Sequence, residues 1–158
     1  MKKIIMALAI CLTANIALSQ TDSTKTKTTA YMSLNMSISH TDPNDAAIDN
    51  FSKSSYPSVE VGLMRKNISL GVILGTENCF TSSATRGFYE LKTAVYYPIG
   101  ACSGYLLFGV GAYTEQRFDN FIEYGVGFMY MPKKFGYNVQ YSNWARTNYV
   151  SVGLCYNF

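Results

Sequence analysis

Three glutamates and one lysine occupy positions where charge is hard to keep. Glu60, Glu90, Lys92 and Glu123 each sit in a stretch of alternating residues whose same-side neighbours are small or uncharged, among them Gly62, Gly109, Gly125 and Gln140. Carboxylates and an ammonium facing one another away from bulk water persist only when paired, hydrogen-bonded or protonated. Such a set can form an ionic plug that fixes the register of the strands carrying it. It can also act as a rearranging gate for protons or cations, or as an acid–base pair on a substrate. The sum is 1 − 3 = −2, so Lys92 does not neutralise the set. Arg86 and Arg117 continue the same parity toward one mouth and are expected to complete a network with Glu90 and Glu123.

The other reactive side chains are scattered. His40 is the only histidine; Ser82, Ser83, Asp42 and Asp45 are available in loops, but no order or spacing ties them to it, and an exposed loop histidine is expected. Gly109-Val110-Gly111 and Gly125-Val126-Gly127 are not phosphate loops, because no helix follows them. Inward glycines instead make room in a narrow interior for large residues such as Tyr31, Tyr96 and Tyr149. Asp42, Asn44 and Asp45 lack the glycine and terminal glutamate of a calcium loop. Cys79, Cys102 and Cys155 are expected too far apart to bridge, and no cysteine has a second donor at metal-ligand spacing. Neither a metal site nor a cofactor is expected. Phe51, Phe80, Trp144 and Arg146 lie in stretches read as loops, where aromatic and arginine side chains serve as recognition anchors.

The elements that position these residues are strands. Alternation with turn chemistry between segments predicts eight, near 30–39, 56–64, 67–75, 87–97, 104–113, 121–130, 135–142 and 148–158. Each is close to the roughly 9–11 residues that a tilted strand needs to cross a bilayer. Short connections (65–66, 98–103, 131–134) alternate with longer ones (41–55, 76–86, 114–120, 143–147), as turns and outer loops do in membrane barrels. One face of every strand is apolar and uncharged, including Leu34, Val61, Leu74, Leu106, Phe128 and Leu154. Tyr97, Tyr130, Phe135, Tyr156 and Phe158 collect at its turn end and Tyr89 and Tyr141 at its loop end, as two interfacial girdles. The opposite face is small and polar with few charges. A soluble carrier would turn the apolar face inward and show water a heavily charged one, so the apolar face must meet lipid. The fold expected is all-β, an eight-stranded antiparallel up-and-down transmembrane barrel.

Composition agrees. Aromatics reach 15% with thirteen Tyr and one Trp, while charged residues are only 15%, well below the usual quarter or so. Lys2 and Lys3, the apolar run from Ile4 to Leu12 and the small-x-small site Ala17-Leu18-Ser19 read as a secretory signal peptide over 1–19. Residues 20–29 form a polar lead, and 30–158 the barrel. Without the signal lysines the net charge of +3 falls to 3 − 2 = +1, which offers nothing to nucleic acid.

The closing stretch Tyr149 to Phe158 alternates strictly and ends in Phe, and Val152, Leu154, Tyr156 and Phe158 resemble the assembly signal of outer-membrane barrels. With the two-faced pattern over 30–158, the chain resembles the small eight-stranded outer-membrane barrels, the group containing OmpX and the OmpA transmembrane domain. The resemblance implies a monomer in the outer membrane of a Gram-negative bacterium, with both termini periplasmic. Its partners would be membrane lipids, lipopolysaccharide and the barrel assembly machinery, with an extracellular ligand at the loops. It implies a non-enzymatic structural or surface-interaction role. The alternatives are a narrow ion-conducting pore gated by the Glu/Lys network and a lipid-modifying enzyme using His40.

Overall fold

The computed structural model describes residues 27–40, 54–79, 85–114, 120–144 and 147–158. They form eight strands: β1 (Thr28–His40), β2 (Ser54–Arg65), β3 (Ile68–Cys79), β4 (Thr85–Ile99), β5 (Cys102–Tyr113), β6 (Asn120–Tyr130), β7 (Phe135–Trp144) and β8 (Thr147–Asn157). Each pairs antiparallel with the next, and β8 closes on β1, where Leu34 faces Leu154 and Met36 faces Val152. Closure leaves no unpaired strand edge, which lets a sheet sit in hydrocarbon. Two of the tight links are two residues long, and both bend through left-handed backbone, at Lys66 (φ 53°) and Gly100 (φ 63°).

Paired residues of neighbouring strands share a face, so parity propagates around the ring. The outward row Ile38–Val150–Tyr141–Val126–Leu106–Val95–Ile68 runs through six strand pairings with no charged side chain. All of these side chains but the half-buried Ile68 are exposed: Leu106 keeps 64% of its surface, and on neighbouring outward rows Phe128 keeps 63% and Leu154 61%. Inward, the order is reversed. Glu60, Glu77, Glu90, Lys92 and Glu123 are all buried. A wall of exposed leucine and valine around a charged interior is stable only when lipid covers the wall. The tyrosines at the wall's edges, Tyr97 at the turn end and Tyr89 and Tyr141 at the loop end, are likewise exposed.

The strands run further at the loop end than alternation alone predicts. Asn78 pairs with Thr85 and Trp144 with Thr147. Glu77 and Arg86, expected in a loop and at a rim, are therefore directly opposed strand residues. Trp144 belongs to β7 and not to a loop.

Candidate functional site in the lumen

The lumen is filled in layers, and the ionic one lies between two others. In one row across the sheet stand Gly62, Gly71, Lys92, Gly109 and Glu123. The glycines flanking Lys92 leave space that carboxylates from the adjacent level occupy. A Cβ on Gly71 would meet Glu60, and one on Gly109 would collide with Glu90 Oε1. Lys92 Nζ lies 2.5 Å from Glu60 Oε2, and Tyr31 donates its hydroxyl proton to Glu60 Oε1 at 2.5 Å. Gln140 Nε2 donates to Glu123 Oε1 at 2.9 Å. Glu90 Oε1 is buried and has no hydrogen-bond partner among the described residues. With Glu77 and Arg86 included, the inward charges sum to 2 − 4 = −2.

Toward the loop end sits an aromatic stopper of Tyr56, Phe88, Tyr113, Phe121, Trp144 and Tyr149. Trp144 is its hub: its ring lies 4.2 Å from Phe121, 4.8 Å from Phe88, 5.3 Å from Tyr56 and Tyr149, and stacks on Tyr113 at 6.1 Å. A polar cap covers it. Tyr56 donates to Glu77 Oε1 at 2.5 Å, Arg86 Nε donates to Glu77 Oε2, and the Arg86 guanidinium stands 3.8 Å above the Tyr113 ring. Tyr149 donates to the Tyr56 hydroxyl at 3.3 Å.

Toward the turn end, Tyr105, Leu107, Met129 and Cys155 close the lumen, with Met64, Tyr96 and Met131 packed against them. The Cys155 thiol is held by Asn138 Nδ2 at 3.0 Å and lies 3.4 Å from Ser33 Oγ. The voids between the layers are small. One of about 20 Å3 lies between the ionic and aromatic layers, and another of about 20 Å3 lies at the turn end. Each has room for about one water.

Comparison with solved structures bears on this arrangement. The crystal structure of the N-terminal β-barrel domain of Pseudomonas aeruginosa OprF aligns with TM-score 0.62 at 10% identity, covering 82% of this chain and 97% of that one. The outer membrane protein Ail of Yersinia pestis aligns with TM-score 0.51 at 14% identity, covering 84% and 100%. A de novo designed transmembrane β-barrel aligns with TM-score 0.61 at 17% identity, covering 82% and 95%. The fold is that of the eight-stranded outer-membrane barrels. No protein-family model matches the sequence, and no curated protein matches it.

The barrel brings some of the expected site residues together and separates others. Glu60 and Lys92 are partners, and Glu90 and Glu123 line the same void. Arg86 binds Glu77 instead of Glu90 or Glu123, because register sets Glu77 directly across from it while Glu90 lies four residues deeper on the same strand. Trp144, expected as an exposed anchor, is 5% exposed inside the stopper. Inward glycines do make room for large residues, for Tyr31 as expected but for Phe121 and Tyr105 where Tyr96 and Tyr149 were expected. Gly62 and Gly71 accommodate Tyr31, Gly111 accommodates Phe121, and Gly127 accommodates Tyr105.

Glu77 and the rings of Tyr56, Tyr113, Phe88 and Phe121 were missed as lumen residues. Their signal was present, since each continues the inward parity of its strand. Val152 and Leu154 face outward as exposed wall residues, Tyr156 is partly covered beside Phe135, and Phe158 packs on Tyr156. Cys102 is exposed at the start of β5. His40 ends β1. Phe51, Phe80, Arg117 and Arg146, the candidate serines and aspartates around His40, and the leader and lead up to residue 26 lie outside the described residues.

Proposed function

We propose that this chain is a closed, non-conducting, non-enzymatic barrel of the Gram-negative outer membrane. On this reading it serves a structural or surface-interaction role through the loops that join β1 to β2, β3 to β4, β5 to β6 and β7 to β8. The observation that carries the reading is the packed lumen. An ionic layer and a six-ring aromatic layer are stacked in series, with voids of about 20 Å3 that hold about one water each. That is a core, not a channel. Among the described residues the lumen is filled by side chains, so on this reading the interacting surface is the loop end. The signal-peptide pattern of residues 1–19 and the fold shared with the Yersinia pestis outer membrane protein Ail support the location. An even strand count sets both chain ends on the short-turn side, which supports periplasmic termini.

The competing reading is a narrow pore gated by Glu60, Glu90, Lys92 and Glu123. Its support is the carboxylate oxygen of Glu90, which has no partner among the described residues and stands beside a void. Planar-bilayer recording separates the two. The closed barrel predicts no conductance above background for the native chain and unchanged silence for Glu123→Gln. Discrete native openings altered by Glu123→Gln would establish the pore and remove the closed-barrel reading.

A further inference from the structure

We propose that the turn-side rim is a one-sided cationic collar that binds the phosphate headgroups of anionic phospholipids. Lys27 precedes β1, Arg65 ends β2, Lys66 stands in the β2–β3 turn, and Lys133 and Lys134 stand in the β6–β7 turn; all five are exposed. Register gathers them on one arc. Thr28 pairs with Arg65, so Lys27 lies beside the β2 end. The amides of Asn157 and Phe158 donate to the carbonyls of Lys134 and Ala30, which joins the β6–β7 turn to β1 through the end of β8. The arc therefore spans four consecutive strands of the ring, β7, β8, β1 and β2. Across the barrel, the β4–β5 turn of Gly100 and Ala101 carries no charge.

Among the described residues no acidic side chain shares this end. Glu60, Glu77, Glu90 and Glu123 all point into the lumen and are buried. With Lys66 set aside, Lys27, Arg65, Lys133 and Lys134 still give the arc a charge of +4.

Two features make the occupant a lipid and not a soluble acidic partner. Arg65 continues the outward parity of Val59, Val61 and Leu63, and it is the one charged residue among the described outward positions of the eight strands. Its side chain leaves the outward wall between Thr28 and Ile68, and a long basic side chain at that edge extends to the headgroup level. The collar also lies next to the turn-end aromatic girdle of Tyr97, Tyr130 and Phe135, and such girdles mark the headgroup boundary. A planar guanidinium with neighbouring ammoniums suits phosphate oxygens.

The test uses the full chain refolded into phosphatidylcholine nanodiscs containing a minority of phosphatidylglycerol, with lipid retained around the barrel counted by native mass spectrometry. Enrichment of the anionic lipid by roughly fivefold per engaged cation is expected, falling as salt is raised. The variant carrying Arg65→Gln, Lys66→Gln, Lys133→Gln and Lys134→Gln should lose it while keeping its heat-modifiable gel shift. If that variant does not fold, Arg65→Gln and Lys134→Gln are measured singly, and each should lower the enrichment. Equal enrichment in native and variant chains would overturn the proposal. So would full competition by millimolar inorganic phosphate, which would make the site one for free anion, or preference for soluble polyglutamate over anionic lipid, which would make it a protein-docking face.

Discussion

Removing the indole of Trp144 tests the closed lumen most directly. Trp144 is 5% exposed and touches five other rings. Its Nε1 has no hydrogen-bond partner among the described residues, so Trp144→Ala deletes packing and strands no buried polar group on a described neighbour. Truncating a buried tryptophan costs about 3–5 kcal/mol. Five rings would be left facing a hole, and a closed sheet collapses poorly around one, so about 4 kcal/mol is the expected figure. Trp144→Phe keeps one ring in the stopper and should cost about 1–2 kcal/mol. The assay is urea unfolding of the protein refolded in lipid vesicles, followed by the gel shift. At a slope of roughly 2 kcal/mol per molar, the Trp144→Ala midpoint falls by about 2 M and that of Trp144→Phe by about 0.5–1 M.

The native chain supplies an independent readout, because Trp144 is its only tryptophan. A lumen indole should resist both acrylamide from water and brominated acyl chains from the bilayer, whereas a loop anchor would be quenched by acrylamide. Free acrylamide quenching with a midpoint shift under about 0.5 M in Trp144→Ala would refute the stopper.

The remaining perturbations address the other layers. Lys92→Met should destabilise the barrel by about 3–5 kcal/mol, because it leaves the buried Glu60 without its cationic partner and with only the Tyr31 hydroxyl; adding Glu60→Gln should recover most of that loss, and vesicle unfolding midpoints showing no recovery would break the pairing argument. Gly109→Ala should cost about 1–3 kcal/mol by overpacking against Glu90. Glu90→Ala in the same chain should relieve that cost, so an additive double mutant in the thermodynamic cycle would show that the two sites do not meet. Tyr56→Phe should cost about 1.5–3 kcal/mol, the worth of a hydrogen bond to a charged group, and an unchanged thermal transition in detergent would mean that the cap on Glu77 is not formed.

The wall was legible from the sequence because alternation has a period of two, and closure carries that parity unbroken from Leu34 to Leu154. Inside the barrel, parity gives the face but not the level, since the stagger between strands decides which inward residues meet. That is why Glu60 and Lys92 could be grouped from sequence, whereas the match of Arg86 to Glu77 needed the register.

The misplaced Trp144 has a separate cause, which also bears on where the bilayer ends. Over most of each strand the outward residues are apolar and the inward ones small or polar. At the loop ends the phase inverts: Ser55, Asn78, Thr85, Asn120, Asn143 and Asn148 stand outward while Tyr56, Phe88, Tyr113, Phe121, Trp144 and Tyr149 turn in. A reading tuned to apolar-out alternation ends the strand at that flip, although backbone pairing continues through Asn143–Asn148 and Trp144–Thr147. Physically, the flip is a change of solvent. Below it the wall meets hydrocarbon and the interior can be ionic; above it the wall meets water and the interior must supply the hydrophobic core. The stopper is thus a soluble-type core built on the protruding rim of a membrane barrel. The outward level of Tyr89, Tyr141 and Val150, just below the first outward asparagines, marks the bilayer surface.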